Sequence, residues 1–151
     1  MNLWEVQPWV KTLVTAHSQL AAVDVLEDDG TYPKTPERER ILSEKGLVLV
    51  IWEIESDGLA DFARGGTLLH DLYVPVLVEE NVKVNRTTGG SQMPALQALQ
   101  FVIAAGSGKR PAPTSPFVLQ PMDPPFKNFG KVNGVNRLVA NFTLRHAIAA
   151  V

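Results

Sequence analysis

Four carboxylates sit where they could act in pairs. Glu53 and Glu55 are two positions apart in a strand-like run, which turns them to one sheet face, while adjacent Glu79 and Glu80 turn to opposite faces. Acid/base chemistry or glycoside hydrolysis needs two such groups across a cleft. No partner base or substrate cleft accompanies them, so they read as solvated strand ends, and a small enzyme using strand-end carboxylates is kept as the alternative. His17, His70 and His146 are far apart and lack the close spacing of metal ligands. A Ser/His/Asp triad assembles in space, but no nucleophile-elbow sequence supports one.

Two further stretches invite a chemical reading. Gly106-Ser107-Gly108-Lys109-Arg110 suggests a phosphate loop, yet Ile103 stands where the motif needs its first Gly and Arg110 where it needs Ser or Thr. The stretch reads as a helix stop. Glu27-Asp28-Asp29-Gly30 lacks calcium-loop ligand spacing and reads as a solvated turn. Lys83, Arg86, Lys109 and Arg110 would form a local basic rim if their two loops met, with a solvated charge face as the simpler account. The glycosylation triplets at Asn85 and Asn141 read as accidental, since no secretion signal is visible.

Composition narrows the function further. The 151 residues, 45% of them hydrophobic, are enough for one core and one domain. A net charge of −2, without aromatics interleaved among the basic residues, argues against direct specific nucleic-acid binding. The absence of cysteine excludes disulfides, thiol nucleophiles and Cys-ligated metals, and no cofactor signature is present, so no cofactor or metal is expected. No window approaches eighteen consecutive apolar residues, so the chain is read as soluble, unexported and without a membrane partner.

The positioning elements follow from periodicity. Pro8 to Leu20 predicts a helix, with Trp9, Leu13, Ala16 and Leu20 at helical spacing, and Ala22 to Leu26 a short strand. Thr35-Pro36-Glu37 starts a short helix that Gly46 ends, and Leu47 to Glu55 is the most hydrophobic strand, placed centrally. Ser56 to Gly66, with Asp57-Gly58 and Gly65-Gly66, reads as a connection with a helical turn at Leu59 to Phe62. Leu72 to Val78 is a strand whose Pro75 predicts an edge or bulge, continuing through Val84 into a polar loop that ends at Ser91 without a core anchor. Rapid amide exchange is expected across Val84 to Gln92. Pro94 opens a helix with Leu96, Leu99, Val102 and Ile103 on its buried stripe. Lys109 to Gly134 reads as a long Pro-rich loop, with Phe117 to Leu119 its one strand-like stretch and Pro124-Pro125-Phe126 a rigid turn. Leu138, Ala140, Phe142, Leu144, His146 and Ile148 then alternate along a closing strand.

The order of Leu47 to Glu55, Leu72 to Val78 with Pro75, Pro94 to Ala104 and Val135 to Ile148 resembles the layout of tail terminator proteins of long-tailed bacteriophages. The resemblance implies a single α+β domain over residues 1–151, with a largely antiparallel sheet of about four to five strands and helices packed on one face. It also implies a homo-oligomeric ring, commonly of six subunits, that caps the tail tube protein, ends tail growth and presents a surface to the head connector protein. Such a protein belongs to the virion tail or neck, is assembled in the host bacterial cytoplasm and needs no catalytic residues. Another neck or tail-completion component is the neighbouring alternative. Candidate subunit or partner contacts are Lys83, Asn85, Arg86, Lys109, Arg110, Pro124, Pro125 and Phe126.

Overall fold

A computed structural model describes residues 1–28, 34–63 and 67–149. The first helix, α1 (Leu3–Ala16), buries Val6, Val10 and Val14, and a 3-10 turn (Ser18–Leu20) follows it. The helix starts before Pro8, not at it; the Asn2 N–H donates to Glu5 Oε2 at 2.6 Å and closes the first turn. Strand β1 (Val25–Glu27) and helix α2 (Lys34–Glu44) follow. The chain continues through β2 (Leu47–Ile51), β3 (Glu55–Ala63) and β4 (Thr67–Asn81), then the short helix α3 (Val82–Asn85) and α4 (Ala95–Gly106), and closes with β5 (Gln120–Val132) and β6 (Val135–Ala149). Residues 29–33 and 64–66, which carry part of the acidic turn and the Gly65-Gly66 pair, lie outside the described residues.

The fold is α+β, with one mostly antiparallel sheet of six strands in the order β1-β2-β4-β6-β5 and β3 beside the first half of β4. Among the described strands only β1 and β2 run parallel. The two strands beyond the sequence expectation come from segments read as connections. One is β3, which pairs Glu55 with Tyr73 and Ala63 with Thr67 and carries two bulges. The other is β5, which replaces much of the expected 109–134 loop. Its prolines concealed it, but β5 is an edge strand, where proline is tolerated, and Pro124 and Pro125 fall inside the register jump between Pro121 and Phe126.

Pro75 has a different explanation from the one its sequence context suggests. It lies in the most central strand, not at an edge, opposite Asn141 of β6. On its other side β2 has stopped at Ile51, opposite Val76, and β3 has not begun until Glu55, opposite Tyr73. The Trp52 N–H donates to the Pro75 carbonyl at 3.0 Å, so the missing N–H of Pro75 faces the gap between those two partners.

The sheet is covered unequally. On one face α1 and α4 enclose the main core, where Leu49, Ile51, Val74, Val76, Leu99, Val102, Ala140 and Phe142 meet. On the other face Ile41 and Leu42 of α2 pack on Val48, Val50, Leu77 and Val139. Two helices thus share a face as expected, while α2 crosses to the back because Leu47–Ile51 is apolar on both sides. Leu96 does not join the α4 stripe: it is exposed, and Ala95, Ala98 and Ala105 take the sheet-facing positions where the backbones approach closely. Gly106 shows the tightness, since a Cβ there would fall 2.8 Å from the Phe142 ring.

Phe142 is therefore the test of the assigned core face. Phe142→Ala should lower stability by about 3–5 kcal/mol in urea unfolding, and Phe142→Asp should leave the chain insoluble or unfolded. An unchanged urea midpoint for the alanine variant would remove Phe142 from the core.

Candidate functional site

Glu79 and Glu80 lie just before Asn81, the last paired residue of β4, and each is 1% exposed. Alternation sends Glu79 to the α2 face, where its carboxylate lies 3.3 Å from Arg38 Nε and accepts from Arg137 Nε at 3.0 Å. Glu80 turns to the α4 face, where Oε2 accepts from Arg86 Nε at 3.0 Å and from Asn85 Nδ2, and Oε1 accepts from the Ala95 N–H at 3.2 Å. These are not solvated strand ends. One carboxylate holds α2 and β6, and its neighbour receives α3 and the positive end of α4.

Asn85 explains why the following loop is ordered. It is completely buried, and its amide nitrogen donates to Glu80 and, at 2.7 Å, to the Met93 carbonyl. The strand stops at Asn81, whose side chain accepts from the Val84 N–H as α3 begins. Further bonds pass from Ser91 N–H to Lys45 O and from Gln92 N–H to Asn85 O, at 3.0 and 2.8 Å. Gly46, at φ +83°, and Gly90 have no room for a side chain, because a Cβ on either would fall within 2.3 Å of the Asn85 or Val84 backbone. The polar loop expected to lack an anchor is thus built around one, and slow exchange of the Ser91 and Gln92 amides replaces the expectation of rapid exchange throughout. Asn85 Oδ1 finds no hydrogen-bond partner among the described residues.

Burial alone would push the Glu80 carboxyl up, but the bonds from Arg86, Asn85 and the Ala95 N–H, with the Arg86 charge, outweigh it and hold it below the ordinary 4.5. The two carboxylates open to opposite sides of the sheet, so they do not meet in one cleft. Glu53 and Glu55 are exposed on the β2–β3 connection and the start of β3.

The ladder of β4 and β6 makes a pair that sequence distance concealed: His70 and His146 are opposite one another, with His70 Nε2 3.0 Å from His146 Nδ1. His146 Nε2 is 2.8 Å from the Met1 carbonyl, which can only accept, so His146 carries its proton on Nε2 and receives one from His70 at Nδ1. Burial, then the nearby His146, pull His70 below its ordinary 6.5 against the opposing influence of Asp71. His17 is elsewhere, beside Phe101. Among the described residues no group of three His, Cys, Asp or Glu could hold a metal ion, and no helix is long and apolar enough to cross a membrane.

The candidate contact residues divide into three places. Lys83, Asn85 and Arg86 gather near the N-terminal end of α4, with Lys83 exposed, Asn85 interior and Arg86 bonded to Glu80. Lys109 and Arg110 follow its C-terminal end, with Arg110 donating to the Ser115 carbonyl at 2.7 Å. A helix of 12 residues separates the two groups by roughly 18 Å, so the four cations do not make one rim. Pro124, Pro125 and Phe126 lie exposed on β5. That strand also exposes Phe129 (55%) and Val132 (49%), and Lys127 Nζ sits 5.1 Å from the Phe129 ring centroid. Sequence reasoning passed over Phe129 and Val132 because the segment was read as a loop, and their spacing in threes from Phe126, which the bulge between Asn128 and Gly130 accommodates, is not the period of a regular strand. No family model matches the chain, and no curated protein matches it.

Acid should weaken this protein in two windows. A His70 pKa below its unfolded value gives stability that is complete above pH 6.5 and declines as pH falls from there toward the folded value. A lowered Glu80 pKa does the same from pH 4.5 downward. In urea titrations Glu80→Gln should cost about 1–3 kcal/mol at neutral pH and flatten the lower window only. An unaltered slope below pH 4.5 in that variant would contradict the ion-paired role assigned to Glu80.

Proposed function

We propose that this chain is a structural assembly protein of a long-tailed bacteriophage, a tail terminator that forms a ring on the end of the tail tube and works by docking without turnover. The supporting observation is the outer edge of β5. It is a 13-residue strand paired on one side only, and Phe126, Phe129 and Val132 are each exposed along it. Proline, lysine and a bulge on an edge strand are common protections against unwanted pairing, and β5 has all three. Protection does not account for three large apolar side chains in water, which a docking surface does.

The fold agrees with this role in a second respect. β3 is open on its outer side, so the sheet offers unpaired strand edges on opposite sides of the subunit. Closed rings are made from heterologous contacts, in which one surface meets a different surface of the next copy. The carboxylates that motivated an enzymatic alternative are engaged in the ion pairs of Glu79 and Glu80 or stand exposed without a partner base, which favours assembly over catalysis.

The direct test is to add purified protein to growing tail tubes of its cognate phage and image their ends by electron microscopy. Capped ends and an arrest of elongation are expected. Bare ends with unaltered tube growth would remove the terminator role.

A further inference from the structure

Two exposed surfaces on opposite sides of the sheet carry opposite charge. On β5, Lys127 and Lys131 accompany Phe126 and Phe129, all exposed. The alternation that turns the Pro75 carbonyl toward β2 also turns the Asn141 backbone toward β5, so Phe126 and Asn128, opposite Ala140 and Leu138, direct their backbone groups outward. Beyond the exposed Asp123, this strand therefore offers hydrogen bonds, aromatic rings and positive charge along one edge.

The other surface lies where β2 hands over to β3. Leu3, Trp4 and Gln7 of α1 and Glu53, Ile54 and Glu55 line a cleft of about 320 Å³. Trp4 is 76% exposed beside it, and Trp52 is 41% exposed at the end of β2. Glu53, Glu55 and Asp57 are exposed in succession along this edge. Their negative field is felt inside the sheet: the Tyr73 hydroxyl is pushed above its ordinary value first by burial, then by Glu55 and Asp57. No cation on the same subunit pairs with Glu53, Glu55 or Asp57 among the described ion pairs.

We infer that the β5 edge of one copy docks on the acidic, tryptophan-flanked β2–β3 edge of a second copy, so that Lys127 and Lys131 meet Glu53 and Glu55 while Phe126 and Phe129 meet Trp4 and Trp52. The inference rests on the assembly role proposed above and names its interface. The occupant is a second copy because each surface supplies what the other lacks: cations opposite unpaired carboxylates, and aromatic rings on both sides. Both patches cannot be joined within one subunit, since β6 and β4 lie between the two edges. The contact is therefore head-to-tail, and its repetition produces a ring or a filament.

The pairing can be exchanged by design. One variant, K127E/K131E, makes both surfaces acidic; the other, E53K/E55K, makes both basic. Sedimentation equilibrium of the full chain up to millimolar concentration should show the wild type associating, more weakly as salt is raised, and each variant associating at least tenfold more weakly. An equimolar mixture of the two should regain association, because each then presents the complement of the other, and so should the chain carrying all four substitutions. Unchanged thermal midpoints confirm that the variants are folded. Phe129→Ala should weaken association as well. A wild type monomeric throughout, or a mixture no more associated than its components, overturns the interface. If wild-type protein still caps tail tubes in that case, the terminator role stands without this contact; regained association with bare tubes keeps the contact and removes the role.

Discussion

Everything around the β4 terminus depends on two adjacent carboxylates that cannot reach water. Glu79 and Glu80 are both buried, on opposite faces, and an unpaired buried charge costs several kcal/mol. Each must therefore be met by cations or N–H groups from whichever element covers its face. Arg38 and Arg137 meet Glu79, and Arg86, Asn85 and the first turn of α4 meet Glu80. A buried ion pair adds little stability over an apolar substitute, but it penalises wrong arrangements heavily. Here the consequence is positional: α2, α3, α4 and β6 are all referred to one point on one strand.

That anchoring leaves the sheet edges to do something else. The helices lie on the two faces of the sheet, and among the described strands the outer sides of β5 and β3 have no strand partner. Pro75 lets β4 exchange β2 for β3 without losing a hydrogen bond, which gives the central strand 15 residues and carries β3 out beyond the β2 edge. The chain thus has a packed, ion-paired centre with open strands at its margins, a division that agrees with the assembly role proposed above.

The charges divide along the same line. The buried carboxylates are paired, Glu79 with Arg38 and Arg137 and Glu80 with Arg86, whereas Lys127, Lys131, Glu53 and Glu55 stand on the edges. Exposed charges separated by more than about 8 Å are screened at physiological salt, so these groups contribute little to the fold itself. In the proposed interface they are the groups through which complementary charge would set partner choice and encounter rate.

Period and composition alone determined the single domain, the two-faced burial of Leu47–Ile51, the α4 helix and the core face of Leu138, Ala140, Phe142 and Leu144, while the α+β class came with the resemblance in element order. Local geometry is enough there, because each face repeats over several residues and burying it is favourable in any arrangement. Tertiary structure decided the rest. Prolines in β5 and Pro75 in β4 are locally unfavourable for strands, and only the choice of neighbours shows that no ladder bond is missed. Asn85 looked like one polar residue among several, and only the approach of Gly46 and Gly90 makes it an interior anchor. His70 and His146 are 76 residues apart in sequence and become neighbours through strand register. Register and partner choice are properties of how distant segments meet, and no local pattern carries them.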